Sequence, residues 1–90
     1  MNEGNGKINE KRLEEMARGF ARSILRIKER PKIISLYGSE DEHLVFIKDK
    51  MQNYFSEKGQ EFEIIFGQEG YWIDVGFFLK TNYNTDTSLY

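Results

Sequence analysis

The arginines of the first third of the chain are the most regularly spaced residues that could bind a ligand. They are Arg12, Arg18, Arg22, Arg26 and Arg30. The last four follow one another at four-residue intervals, a spacing that keeps side chains on one stripe of a helix. Guanidinium groups bind phosphates and carboxylates through paired donors. The row therefore predicts contact with nucleic-acid phosphates or with an acidic protein, or else a solvated face in which Glu14 and Glu29 neutralise arginines one turn away.

A second candidate surface consists of large apolar side chains on the face of a predicted hairpin that would otherwise meet water. Its residues are Ile65, Trp72 and Phe78, joined by Tyr37 from a neighbouring strand. Three explanations are open: the first helix covers this face, a second copy or another protein covers it, or a flat ligand or nucleobase stacks on it. Gly67 opposite Trp72 favours a packed indole over one that binds a free ligand.

His43, the only histidine, lies beside Glu40, Asp41 and Glu42. Consecutive helical residues do not converge on one metal ion, and no serine or cysteine stands at a spacing known for catalysis. The chain has no cysteine, which excludes disulfides and thiolate chemistry. We therefore expect no metal, no cofactor and no enzymatic activity, and we explain the acids as residues that complement a helix dipole.

Two amphipathic helices would carry the arginines and His43. The first is predicted over residues 9–30, because Asn9 is a good N-cap and Pro31 ends helical geometry. The second is predicted from an N-cap at Ser39, with Glu42 as its capping-box partner, to about Lys58. Between them, residues 33–37 form a short β-branched strand.

Residues 61–80 alternate between apolar and other side chains, which predicts two strands of a hairpin turning at Glu69-Gly70. In that hairpin Phe66 would face Ile73, and Phe62 would face Phe77. We expect one core, formed by Phe20, Ile24, Leu44, Ile47, Met51, Phe62, Ile64, Ile73, Val75 and Phe77.

The predicted fold is therefore an α+β, two-layer sandwich of αβαββ order, with a three-stranded sheet ending in a C-terminal β-hairpin. Residues 1–8 are expected to be a flexible N-terminus, residues 9–80 a single domain, and residues 81–90 a flexible polar tail. This order resembles the Alba and translation-initiation-factor-three C-terminal folds, and that of dodecin, in topology only. The Lys-rich loop of Alba is missing, and Trp72 follows the turn, whereas the flavin-stacking Trp of dodecin precedes it.

Charge is distributed unevenly along the chain. Residues 1–38 hold nine Lys/Arg and five Asp/Glu, whereas residues 39–90 hold four and ten, and the net charge is −2. Such polarity favours pairing between copies or with another protein. We therefore expect a cytoplasmic, non-enzymatic binding or regulatory protein that forms a homodimer and makes no membrane contact. A nucleic-acid-binding module using the arginines is the alternative, and a flavin-like ligand on Trp72 is a weaker one.

Overall fold

The structure, a computed structural model, describes the backbone of residues 9–88 and the side chains of residues 9–81. The predicted flexible N-terminus, residues 1–8, lies outside this part of the chain, as do residues 89 and 90. The elements, in chain order, are α1 (Glu10–Leu25), β1 (Ile33–Tyr37), α2 (Asp41–Glu57), β2 (Glu63–Phe66), β3 (Tyr71–Asp74) and α3 (Val75–Ser88). No helix in the described part of the chain is long and apolar enough to cross a membrane.

Helix α1 begins where the sequence predicts, and it ends earlier. The side chain of Asn9 accepts a hydrogen bond from the Arg12 backbone N–H at 3.1 Å, so the predicted N-cap is confirmed. The predicted end at residue 30 is wrong, because the helix stops at Leu25. There the backbone N–H of Arg26 donates to the Ser23 carbonyl three residues back, which tightens the last turn of the helix. The chain then leaves the helix and reaches β1 at Ile33.

Helix α2 starts one residue later than a cap at Ser39 requires. Its N-cap is Glu40, which makes no side-chain capping bond, so the predicted capping box of Ser39 and Glu42 is wrong. Ser39 instead bonds to the His43 ring. Acidic residues do lie in the first turn, at Asp41 and Glu42, where the helix dipole favours negative charge.

The three strands form one all-parallel sheet in the order β2-β1-β3. Strand β1 pairs with β2 on one side, Ile34 beside Ile64, and with β3 on the other, Leu36 beside Ile73. The predicted α+β fold with a three-stranded sheet is confirmed, whereas the predicted hairpin is wrong because β2 and β3 do not pair. The topological resemblance to Alba and dodecin, which depended on that hairpin, disappears with it.

Alternate residues of the strands separate the sheet into two faces. The helix face carries Ile34, Leu36, Ile64 and Ile73, all buried in one core with the apolar stripes of α1 and α2. The open face, which the two helices do not cover, carries Ser35, Tyr37, Ile65, Trp72 and Asp74. The expected core is confirmed at eight positions: Phe20, Ile24, Leu44, Ile47, Met51, Ile64, Ile73 and Val75. Phe62 is partly buried against this core, whereas Phe77 is 59% exposed and its predicted burial is wrong.

The connection from β2 to β3, residues 67–70, crosses β1 on the open face. Ser35, fully buried at the centre of β1, donates its hydroxyl to the Glu69 carbonyl and accepts from the Glu69 N–H at 3.0 Å. Gly70 follows with φ 64°, and a Cβ there would lie 2.8 Å from the Ile33 carbonyl oxygen. The turn predicted at Glu69-Gly70 therefore exists, but it carries the chain over its neighbour instead of reversing it.

The second half of the predicted last strand is helical. Asp74 ends β3, and its Oδ1 accepts from the Phe77 backbone N–H at 2.9 Å, which makes it the N-cap of α3. Val75 and Leu79 point toward the core, and Phe77 points outward. Helix α3 continues through residues 81–88, which the sequence assigned to a tail.

Replacing Ser35 by Ala tests the crossover. The change removes both partners of the Glu69 backbone, and we expect it to lower the free energy of unfolding by about 1–3 kcal/mol. Urea denaturation followed by circular dichroism measures this. Ser56→Ala, at an exposed position of α2, is the matched control and should have almost no effect. Equal stabilities of the two variants would contradict a structural role for the Ser35 hydroxyl.

Candidate functional site

The structure brings together two of the four side chains predicted to form an interface. On the open face Tyr37 and Trp72 make an edge-to-face contact, with ring centroids 5.1 Å apart. Ile65 lies on the other side of Ser35, so the crossover separates it from Trp72. Phe78 is a residue of α3, not of a strand, and its ring packs edge-to-face on Phe20 of α1 at 5.1 Å.

Exposed aromatic side chains concentrate instead on β3 and the first turn of α3. Tyr71 is 38% exposed, Trp72 48%, Phe77 59% and Phe78 40%, all within eight consecutive residues. We call these four residues the aromatic edge, because β3 is an outer strand of the sheet. Several large exposed aromatic side chains close together in the chain of a small domain are typical of a binding surface.

A groove of about 1000 Å³ runs between α1 and β3 and reaches the aromatic edge. Met16, Gly19 and Phe20 form its α1 wall, and Tyr71 and Ile73 contribute to the β3 wall. Lys11, Arg12, Glu15 and Asp74 also line it. This β3 groove is therefore apolar at its base and carries two cations and two carboxylates around it.

Asp74 links β3, β1 and α3. Its Oδ1 caps α3, and its Oδ2 accepts a hydrogen bond from the Tyr37 hydroxyl at 3.3 Å. Burial raises the pKa of the Tyr37 hydroxyl above its usual value, and the charge of Asp74 and its hydrogen bond raise it further, against a smaller opposite effect of Gln68. Gly76 lies so close to the Gly38 carbonyl that a Cβ could not fit, which holds the start of α3 against the end of β1.

The arginine row is only partly available to a ligand. Arg18 bonds to Glu14 at 3.2 Å, the pair that the solvated-face hypothesis predicted. Arg30 lies beyond α1 and donates to the Leu25 carbonyl at 3.1 Å and to the Gln60 side chain at 2.9 Å, so it ties the end of α1 to the loop before β2. Arg12 lies at the β3 groove. Arg22 and Arg26 are exposed on α1 and at its C-cap.

The imidazole of His43 has a hydroxyl partner, Ser39. Its Nδ1 lies 2.7 Å from the Ser39 Oγ, one helical turn back. Glu40, Asp41 and Glu42, between them in the chain, are exposed carboxylates that disfavour the build-up of negative charge at this hydroxyl. The pair joins the β1–α2 turn to the first turn of α2. Within the described residues, no group of three potential ligands is arranged to hold a metal ion.

The sequence does not predict Tyr71 and Phe77 as members of the aromatic edge, because the predicted hairpin places Phe77 on its core face and Tyr71 beside its turn. The signal for Phe77 was Asp74, a strong N-cap residue followed by apolar residues at positions 75, 78 and 79, which fit a helical period as well as alternation. Nothing local marks Tyr71, since its exposure depends on which strand lies beside β3.

Changing Asp74 to Asn should lower the pKa of Tyr37 toward its ordinary value without reaching it, because the charge disappears while burial remains. Asn retains an oxygen able to cap α3. Phenolate absorbance, titrated against Tyr37→Phe to isolate this tyrosine, measures the shift. The raised pKa also implies that wild-type stability falls as pH rises past the ordinary tyrosine pKa and through the higher pKa of Tyr37. An unchanged pKa in Asp74→Asn would mean that burial alone is responsible.

Comparison with known proteins found no match to a family model, to a curated protein or to a solved structure.

Proposed function

We propose that this protein is a non-enzymatic binding or regulatory protein that acts through the aromatic edge, as a homodimer. The observation that carries the proposal is the exposure of Tyr71, Trp72, Phe77 and Phe78 along one border of the domain. Aromatic side chains are enriched in protein–protein contacts, where they supply most of the binding free energy.

The surroundings of the aromatic edge support a protein partner. The β3 groove beside it is open to solvent and includes charges of both signs, whereas sites for small ligands are usually concave and lined mainly by apolar residues. Strand β3 offers unpaired backbone groups on its outer side, within the described part of the chain, which a partner strand can use. We therefore favour a macromolecular surface over an enzyme pocket.

Introducing a charge into the aromatic edge tests this function. Trp72→Glu should give a folded species of half the mass of the wild type in light scattering, because a carboxylate buried in the interface costs several kcal/mol. Val45→Glu is the matched control: Val45 is 54% exposed on α2, away from the edge, and its variant should keep the wild-type mass. A wild type that is monomeric at every concentration up to the millimolar range would contradict the homodimer.

Nucleic-acid binding through α1 is the second proposal, and the exposure of Arg22 and Arg26 favours it. Because Arg18 and Arg30 have partners within the chain, the positive charge that remains for phosphates is smaller than the sequence suggested. A flat ligand against Trp72 in the β3 groove is a weaker proposal still, and quenching of Trp72 fluorescence by a flavin would test it.

The nucleic-acid proposal predicts a specific salt dependence. Arg22→Gln combined with Arg26→Gln should flatten the slope of log affinity against log salt by about two units, one for each lost phosphate contact. Titration with random single- and double-stranded DNA and RNA measures this, and Lys58→Gln, which removes an exposed cation at the C-cap of α2, is the control. If the wild type binds none of these nucleic acids at low salt, this proposal fails.

A further inference from the structure

The two edges of the sheet are protected unequally. On β2, Glu63 is an exposed carboxylate, and the Lys48 ammonium lies 5.4 Å from the centre of the Phe66 ring. Charged groups therefore lie at both ends of the β2 strand. On β3 the residues are Tyr71, Trp72, Ile73 and Asp74, and Asp74 is already engaged by α3 and Tyr37. Proteins usually protect an outer strand with charges, prolines or bulges. In Tyr71–Ile73 there is no charge and no proline.

We propose that β3 pairs antiparallel with β3 of a second copy of this chain, about a two-fold axis at Trp72, so that the two sheets become one of six strands. The proposal rests on the homodimer proposed above and specifies its interface. A two-fold axis perpendicular to the sheet keeps the helix faces of both copies on the same side. Residues opposite each other must then belong to the same face.

This constraint selects the register. Centring the axis on Trp72 places the two indoles opposite each other on the open face, and places Tyr71 opposite Ile73 of the second copy on the helix face. Asp74 then faces Gly70, so no like charges meet. Centring it on Ile73 would place Trp72 opposite a carboxylate and would require residue 75, which begins α3, to pair as a strand.

The same register accounts for the β3 groove. Tyr71 of the second copy, opposite Ile73, enters the space beside Phe20 and Gly19. A Cβ added to Gly19 would have no neighbour within 4 Å, so packing inside this chain does not require glycine at the middle of α1. Glycine there costs about 1 kcal/mol relative to Ala in an exposed helix. A tyrosine ring arriving from outside is a reason for that position to stay small.

Charge supports a second copy as the occupant. The groove carries Lys11 and Arg12 together with Glu15 and Asp74. A surface that carries both signs of charge can complement itself when a two-fold axis brings two copies together, whereas a strongly basic or acidic partner would be repelled by some of these charges.

Cysteine cross-linking tests the register, because the natural chain has no cysteine. Opposite Cα atoms in an antiparallel pair lie about 4.5–5.5 Å apart, within disulfide range. Trp72→Cys should form a covalent dimer under mild oxidation at least roughly tenfold faster than Ile65→Cys on β2. Because removing the indole can weaken the dimer, the wild type is measured too. Copies labelled on their methionine methyl groups are mixed with unlabelled copies, and we expect intermolecular nuclear Overhauser effects between the Met16 methyl group and Tyr71.

The outcomes separate this inference from the homodimer itself. Fast cross-linking at position 72 or an intermolecular Met16–Tyr71 contact supports β3 pairing. A wild type that is dimeric by light scattering but shows neither signal overturns the pairing and leaves the homodimer standing. A monomeric wild type overturns both. Tyr71→Lys, which adds a charge to the β3 edge, should dissociate the dimer, and Glu63→Lys on the β2 edge should not.

Discussion

Two hydrogen bonds between the Ser35 hydroxyl and the Glu69 backbone fix the connection from β2 to β3, and the strand order of the sheet depends on that connection. Parallel strands of one sheet usually need a connection of a dozen or more residues, yet four residues carry this chain from β2 across β1 to β3. The path is about 12 Å, two strand spacings sideways and two residues back, which five peptide units can span. Such a short path must lie flat on the sheet, where its backbone loses water. Ser35 supplies both a donor and an acceptor at the point of crossing.

The face on which the crossover lies is not arbitrary. Helix α2 connects β1 to β2 over the helix face, and residues 67–70 return in the opposite direction over the open face. The second connection runs across the sheet in the opposite direction and on the opposite face from the first. These two reversals cancel, so the two connections have the same handedness. Both connections can therefore have the hand that parallel strands prefer. A crossover on the helix face would have reversed the hand and collided with the core under α1 and α2.

In this topology, β2 and β3 are both outer strands of the sheet. Three strands give two outer edges, and the crossover divides the open face, so Ile65 and Trp72 cannot form one patch. The aromatic side chains collect on β3 and α3, where Asp74 ends the strand, caps the helix and binds Tyr37. We propose that this surface, which joins an outer strand, exposed aromatic rings and an adjoining groove, binds another protein chain. In the arginine row, Arg18 and Arg30 are engaged within the chain.

Local sequence signals predicted the features that depend on neighbouring residues in the chain. These are the Asn9 cap, strand β1, the apolar stripes of α1 and α2 and the turn at Gly70. They also placed Tyr37 and Trp72 together on the sheet face opposite the core, where the two rings are in contact. Only the tertiary structure decides which strands pair. The alternating pattern of residues 61–80 fits a parallel strand as well as an antiparallel one, and the apolar residues at positions 75, 78 and 79 also fit a helix. Ser35, a small polar residue within an apolar strand, is a sequence signal for the crossover. That signal cannot be interpreted locally, because the partner of Ser35 is Glu69, 34 residues away. Which strand lies beside β1, and so which aromatics meet solvent, is settled only when distant segments pack together.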